Sequence, residues 1–307
     1  MTRVTNLMQH NLGLHFTREI QSRIQDAQIQ IGTGKKAQRY EGLAADASRL
    51  INLKSDHAAK TRFLANNTLA AQRLATMEDK VATAFQIASD FRVLLVNALN
   101  GNNAADLSLA SQSQANLDQV AGLLNTRLDG RYLFAGTRTE TAPVDMNAAG
   151  FATPPSVYPT TADTGYFLGD STKLTVRADD TFTISYGVTA DEAEFEQLVR
   201  ALRIGATTTT SPTIDRTRLE EALRVVDQAI AGLPNIRSRI GAARATLDTV
   251  DQRHADFLLY AEEAIGDIEN IDPTEAITRL GSDQVQIQAS YMLLSRLGQI
   301  SLTQYLR

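Results

Sequence analysis

Cysteine and tryptophan are both absent from this chain. Without thiols there is no disulfide framework, no cysteine nucleophile and no cysteine-based zinc site. Charge is sparse and nearly balanced: 21% of the 307 residues are charged and the net charge is −5. No basic footprint of the kind that holds nucleic acid follows from that balance. Long apolar runs are missing too. The opening Met1-Thr2-Arg3-Val4-Thr5-Asn6-Leu7 has no apolar segment of signal-peptide length, and no stretch reaches the length of a membrane-spanning helix. Neither nucleic acid nor membrane insertion is expected. Proline is missing from one side only: all seven prolines lie at or beyond Pro143, and Leu43 to Asn100 holds neither proline nor glycine.

What is present begins with that uninterrupted stretch. As one helix it would run on the order of 85 Å, far beyond the usual globular helix. Ala70, Leu74, Met77, Val81, Ala84, Ala88, Phe91, Leu95 and Ala98 alternate in steps of four and three, the signature of a heptad seam. Asn97 and Asn100 to Asn103 mark a stop and turn. Leu117, Val120 and Leu124 then carry the same spacing on a second helix, so the pair reads as an antiparallel hairpin. A third long helix shows one seam at Leu219, Leu223, Val226, Ile230 and Leu233. Another follows at Ile236, Ile240, Ala243, Leu247, Val250, His254, Phe257, Ala261, Ala264, Ile268 and Ile271. The phase slips between the two, at Pro234, which predicts a stammer or kink.

Residues 143–210 differ in character. From Glu140 to Asp215 there are eleven acids against four lysines and arginines, and threonine, glycine and proline are frequent. Leu174 and Val176, then Phe182, Ile184 and Tyr186, alternate around an Ala178-Asp179-Asp180 turn and predict a β-hairpin. Phe195, Leu198, Val199 and Leu202 predict one short helix. Thr207 to Thr210 reads as a flexible tract. The segment reads as a small β-rich insert displayed at the end of a helical rod.

The two ends share a pattern. Ile20, Ile24, Ala27 and Ile31 form a short heptad stripe, preceded by Leu7, Leu12, Leu14 and Phe16. Near the other end, Asp272-Pro273-Thr274-Glu275 has the cap, the first-position proline and the capping-box glutamate of a helix start. Ile277, Leu280, Ile287, Tyr291, Leu294, Leu297 and Ile300 continue from it. Amides at Gln284, Gln286, Gln288, Gln299 and Gln304 stand where an isolated helix would carry charge, so these helices need partners.

Candidate chemistry is thin. His10, His15, His57 and His254 are scattered, and His254 occupies a seam position. Gly32-Thr33-Gly34-Lys35-Lys36 lacks the first glycine and the final hydroxyl of a phosphate loop, with Ile29 and Lys36 in those places. Gly130-Arg131-Tyr132-Leu133-Phe134-Ala135-Gly136-Thr137 reads as a strand leaving the rod. Asp179-Asp180 and Asp191-Glu192 read as turn and helix-start residues. No convergent polar constellation points to an enzyme, and neither a cofactor nor a metal is expected. A sensory coiled-coil rod would share the periodicity but needs a membrane span.

Several segments together resemble the flagellin superfamily. Ile31-Gly32-Thr33-Gly34-Lys35-Lys36 is similar to its Ser-Thr-Gly-Lys linker, and Gly42-Leu43-Ala44-Ala45-Asp46-Ala47 to the start of its long helix. Gln288-Ala289-Ser290-Tyr291-Met292-Leu293-Leu294-Ser295-Arg296-Leu297 and Ile300-Ser301-Leu302-Thr303-Gln304-Tyr305-Leu306 are similar to its C-terminal helix. Asp129 to Pro143 resembles the hook–filament junction branch of the superfamily. Arg3-Val4-Thr5-Asn6 departs from the usual opening, which leaves a filament-forming flagellin as the alternative.

The resemblance implies a mainly α fold, a long antiparallel helical coiled-coil rod made from both chain halves with a small β-rich insert between them. Residues 1–34 and 272–307 would be terminal helices forming an inner-tube domain, 35–142 and 211–271 the rod, and 143–210 an outer insert. Leu7, Leu14, Ile20, Ile24, Ile31, Ile287, Tyr291, Leu294, Leu297 and Ile300 are then the expected assembly interface. Leu74, Met77, Val81, Phe91, Leu95, Leu117, Val120, Leu124, Ile240, Leu247, Val250 and Phe257 are the expected rod core. The resemblance also implies type III export to the outside of the cell, helical self-assembly, and four kinds of partner. These are other copies of the chain, a hook-side junction protein, flagellin and a flagellar export chaperone.

Overall fold

The computed structural model describes residues 2–100, 108–151, 157–208 and 215–305. The expected turn at Gly101 to Asn103 and the end of the Thr207–Thr210 tract lie outside these residues. Six helices and two small hairpins follow one another along the described chain: α1 (Thr2–Thr33), α2 (Ala47–Asn100), α3 (Leu109–Leu124), β1 (Arg127–Leu128), β2 (Arg131–Tyr132), β3 (Thr175–Arg177), β4 (Thr183–Ser185), α4 (Ala193–Ala206), α5 (Arg216–Glu269) and α6 (Pro273–Tyr305). A 3-10 turn, Tyr40–Asp46, precedes α2. The chain forms two compact units, Lys60–Ala255 and Met1–Ala59 with Asp256–Arg307. The divisions between these units fall inside α2 and α5.

In the Lys60–Ala255 unit the nine seam residues of α2 from Ala70 to Ala98 are all buried, in one cluster with Leu117, Val120, Leu124, Ile240, Leu247 and Val250. Side-chain ties give the direction of pairing. Asn67 meets Asp251, Glu78 meets Arg244, and Arg92 meets Asp227. Partners fall along α5 as they rise along α2, so the two helices are antiparallel.

The α5 seam differs from its sequence reading. Ala222 and Ala229 are fully buried, whereas Leu223 and Ile230 are half-buried flank residues. With the alanines in place, Leu219, Ala222, Val226, Ala229, Leu233, Ile236 and Ile240 step by three and four without a break. There is no phase slip. Pro234 follows a seam residue on the exposed side, and α5 continues through it. Small residues at the seam leave room for the larger side chains opposite, as close packing requires.

One layer of the α2–α5 seam is polar. Asn67 is fully buried and its amide donates to Asp251 (2.6 Å) and to the Ala178 carbonyl (3.3 Å). His254 Nε2 donates to the same carbonyl at 2.8 Å, and Phe63 stacks on the imidazole. Ala178 begins the β3–β4 turn. Lys60 holds the next two turn residues, Asp179 at 2.5 Å and Asp180 at 3.3 Å. The hairpin turn is therefore fastened to both helices.

Residues 143–210 carry the expected hairpin, β3 paired with β4, together with the expected short helix α4, and their apolar side chains pack into the core. The two strands β3 and β4 have three residues each, and the longest element is α4. Phe151, Tyr166, Phe195, Leu198 and Leu202 join the same buried cluster as Leu74 and Leu219. Nor does a strand run from Gly130 to Gly136. Asp129 and Gly130 (φ 51° and 77°) turn β1 back into β2, and Leu133 to Ala135 are then buried.

Buried charge holds this segment down. Glu221 of α5 accepts from the Thr160 N–H (2.7 Å) and hydroxyl (2.6 Å) and from Arg224. Arg200 donates to the Thr160 carbonyl (2.9 Å) and pairs with Glu196, which accepts from the Asp163 N–H. Arg203 stacks on Phe151 at 3.7 Å. Glu196, Arg200, Arg203 and Glu221 are all buried. The Arg224 hydrogen bonds, with those from Thr160, hold the Glu221 carboxyl down to about 2. Burial moves Glu196 the other way, upward.

Two outcomes follow. Ala229→Leu should overpack the seam and cost about 1–3 kcal/mol, while Leu223→Ala on the flank should cost less, both read from urea unfolding midpoints. Glu221 contributes stability that is in place above its unfolded value near 4.5 and fades as pH falls toward 2, because the unfolded chain binds the proton first. Glu221→Gln should therefore be less stable than the parent at pH 7, by a margin that narrows at about pH 3.

Candidate assembly surface

The unit made of Met1–Ala59 and Asp256–Arg307 pairs α1 with α6. Along α1, Gly13, Thr17, Ile20, Ile24, Ala27 and Ile31 repeat in steps of four and three. Along α6, Ala276, Leu280, Asp283, Ile287, Ser290 and Leu294 do the same. All of these are buried or half-buried. Gln21 donates to the Tyr291 hydroxyl (2.7 Å), and Arg23 reaches Gln286 and Asp283 (3.0 Å each), so this pair too is antiparallel. Gly13 brings the helices close: a Cβ there would lie 2.8 Å from Leu294 Cδ2. Asp283 is a buried carboxylate, the one charged residue of this seam, and Arg23 is its partner.

The lower end of the pair is tied by backbone and charge. Gly34 has φ 72°, a left-handed conformation open to glycine. There the Lys36 N–H reaches the Glu269 carbonyl (2.6 Å) and the Ile271 N–H reaches the Gly34 carbonyl (3.0 Å). The Glu269 carboxylate is held by Lys54 and Lys35, which lower its pKa. Asp272 caps α6 through the N–H groups of Thr274 (2.7 Å) and Glu275 (3.3 Å). A small core of Leu50, Leu53, Ala261, Ala264 and Ile268 completes this end. Phe257 packs half-buried on that core, and not in the cluster that holds Leu74.

The pairing leaves a second apolar face uncovered. Met8, Leu12, Phe16 and Ile29 on α1 are exposed, as are Ile277, Val285, Met292 and Leu293 on α6, with Met8 72% and Val285 66% accessible. The residues singled out from the sequence divide differently. Ile20 is buried and Ile24, Ile31, Ile287 and Leu294 are half-buried, all in the α1–α6 seam, while Leu14 and Tyr291 are exposed. The side chains of Leu7, Leu297 and Ile300 lie outside the described residues. Sequence reasoning named Leu12, Phe16 and Ile277 among the apolar residues of these helices but not Met8, Ile29, Val285, Met292 or Leu293 as part of a pattern. On α1, Met8, Leu12 and Phe16 recur in steps of four; on α6 the exposed Ile277, Val285, Met292 and Leu293 follow no regular step. Exposed apolar residues gathered on paired helices mark a candidate contact surface.

Removing Arg23 leaves Asp283 buried without its cation. Arg23→Ala should lower stability by about 1 kcal/mol, discounted because Arg23 is half exposed. Asp283→Leu should raise it, and circular dichroism melts of both variants check the pair.

Comparison with known proteins matches residues 4–139 to the bacterial flagellin N-terminal helical region and residues 223–306 to the bacterial flagellin C-terminal helical region. The flagellar hook-associated protein 3 of Salmonella typhimurium is 25% identical over an alignment of 305 positions that covers 90% of this chain and 90% of that protein. Among solved structures, FlgL of Bacillus cereus superposes with a TM-score of 0.56 at 16% identity, over 71% of this chain and 99% of its own. The flagellar junction protein FlgL of Legionella pneumophila gives 0.52 at 13% identity, over 70% and 98%. These superpositions show a shared fold.

Proposed function

The chain belongs to the bacterial flagellin family, and on that premise we propose that it is a structural subunit of the flagellum that joins hook to filament. The observation that carries this reading is the uncovered apolar face of α1 and α6. A face of that size on paired, weakly charged helices is stable only against neighbours. Copies of the chain pack side by side through it, head to tail, in contacts that build a helix and do not close. Residues 1–34 and 272–307 form the inner tube, 35–142 and 211–271 the surrounding rod, and 143–210 lie outermost. The Salmonella relative's name, hook-associated protein 3, supports the hook–filament position.

The subunit leaves the cell through the flagellar export channel and assembles outside it. It binds a hook-side junction protein at one end and flagellin at the other. An export chaperone covers the apolar side of α6 before assembly. The role is structural and needs no catalysis. A filament-forming flagellin would share the fold and the export route, and the unusual Arg3-Val4-Thr5-Asn6 opening keeps that reading in the test.

Deletion of the gene separates the two. A junction subunit predicts hooks without filaments and flagellin lost to the medium. Hooks without filaments and no released flagellin would make the chain the filament subunit, and normal motile flagella would contradict both. The triple variant Leu12→Ser, Phe16→Ser, Met292→Ser should keep monomer stability within about 0.5 kcal/mol, as exposed sites do. It should fail to restore filaments to the deletion strain.

A further inference from the structure

Beside β4, within the Lys60–Ala255 unit, runs an open trench of two joined cavities, about 460 and 410 Å³, that share Phe182 and Thr246. One wall is the chain from Phe182 to Val188 and the other is α5 from Arg239 to Arg253. Both walls are about 20 Å long, from the rise per residue of a strand and of a helix.

The strand wall is an unused sheet edge. The Ala178 N–H bonds the Phe182 carbonyl (2.9 Å) and the Tyr186 N–H bonds the Leu174 carbonyl (2.8 Å), with Val176 opposite Ile184. Hydrogen-bonded pairs recur at every second residue of an antiparallel ladder. Phe182, Ile184 and Tyr186 therefore turn their backbone groups to β3, and Thr183 and Ser185 turn theirs outward. The sheet has two strands, so no third strand takes up those groups among the described residues. The helix wall presents Ala242, Ala245, Thr246 and Thr249, side chains short enough to admit another backbone.

Charge selects the occupant. Lys173 and Arg239 stand at one end and Arg253 at the other. The acids nearby are engaged: Glu192 with Lys173 and Arg239, and Asp179 with Lys60. Arg253 has no ion pair among the described residues and is exposed. Lys173 and Arg239 share the single carboxylate of Glu192 and Arg253 has none, so the trench keeps a positive excess on a chain of net charge −5. Two copies joined edge to edge would set these cations against each other.

We propose that this trench docks an extended, acidic segment of a protein partner, which adds a third strand to β4 and places its carboxylates at Arg253 and Arg239. Strand addition draws affinity from backbone hydrogen bonds and selectivity from flanking side chains. The proposal stands independently of the hook–filament reading.

Fluorescence anisotropy with the full-length protein tests it. The probes are a labelled hexapeptide of alternating threonine and valine flanked by aspartates and its lysine-flanked counterpart. The aspartate peptide should bind at least tenfold more tightly. Ser185→Pro removes an outward N–H and leaves the ladder to β3 intact, and should abolish binding. Thr246→Arg, which fills the trench from α5, should do the same without touching β4, and Arg253→Glu should reverse the preference. Equal binding of the two peptides, no binding of either, or binding that survives both Ser185→Pro and Thr246→Arg would overturn the proposal. So would self-association of the parent chain that Ser185→Pro abolishes, since the occupant would then be a second copy.

Discussion

The structure rests on helices that cannot bury their own apolar faces until a partner from the opposite end of the chain arrives. α1 finds α6, more than two hundred residues away, and α2 finds α5. Each seam is a heptad with few charges, and a long amphipathic helix of that kind gains most of its stability from packing. Neither half of the chain has a complete core alone. That dependence explains why the first and last segments share a pattern, and why the distinctive middle segment hangs between them.

Seams of repeated apolar steps are prone to slip by a heptad, and polar groups placed in them restrict the register. Here the α2–α5 seam carries Asn67 and His254, which both donate to the Ala178 carbonyl of the hairpin turn, and Asp251, which accepts from Asn67. A shifted register would leave those groups buried without partners, which costs more than the layer contributes when intact. Arg23 and Asp283 stand in the same relation to the α1–α6 seam. The turn of β3 and β4 thereby reports the register of the helices beneath it, and the free edge of β4 is held in place beside α5.

Much of the fold was legible because large apolar residues fall on the period. Leu74, Met77, Val81, Phe91 and Leu95 declare the α2 seam, and a run without glycine or proline declares its length. The same weighting by size misplaced the α5 seam. Leu223 and Ile230 outweighed Ala222 and Ala229, and the resulting slip at Pro234 does not exist in the structure. The buried charges carry no such periodic signal. Glu196 and Arg200 pair with each other, Arg200 and Glu221 meet Thr160, and Arg203 lies on Phe151 near Asp163, all inside the protein. On the terminal helices the period showed that apolar stripes exist. It could not say which apolar residues meet the other helix and which stay exposed on the paired helices. Ile20 and Ile287 went inward and Phe16 and Val285 outward.

The central claim is that the uncovered face of α1 and α6 is the contact between subunits. Amide hydrogen exchange tests it most directly, comparing the free chain with the same chain in purified hook–filament assemblies. Protection should rise strongly across residues 2–33 and 273–305 on assembly, while the α2 seam from Ala70 to Ala98, already covered in the free chain, should change little. Equal protection of the terminal helices in both states would contradict it.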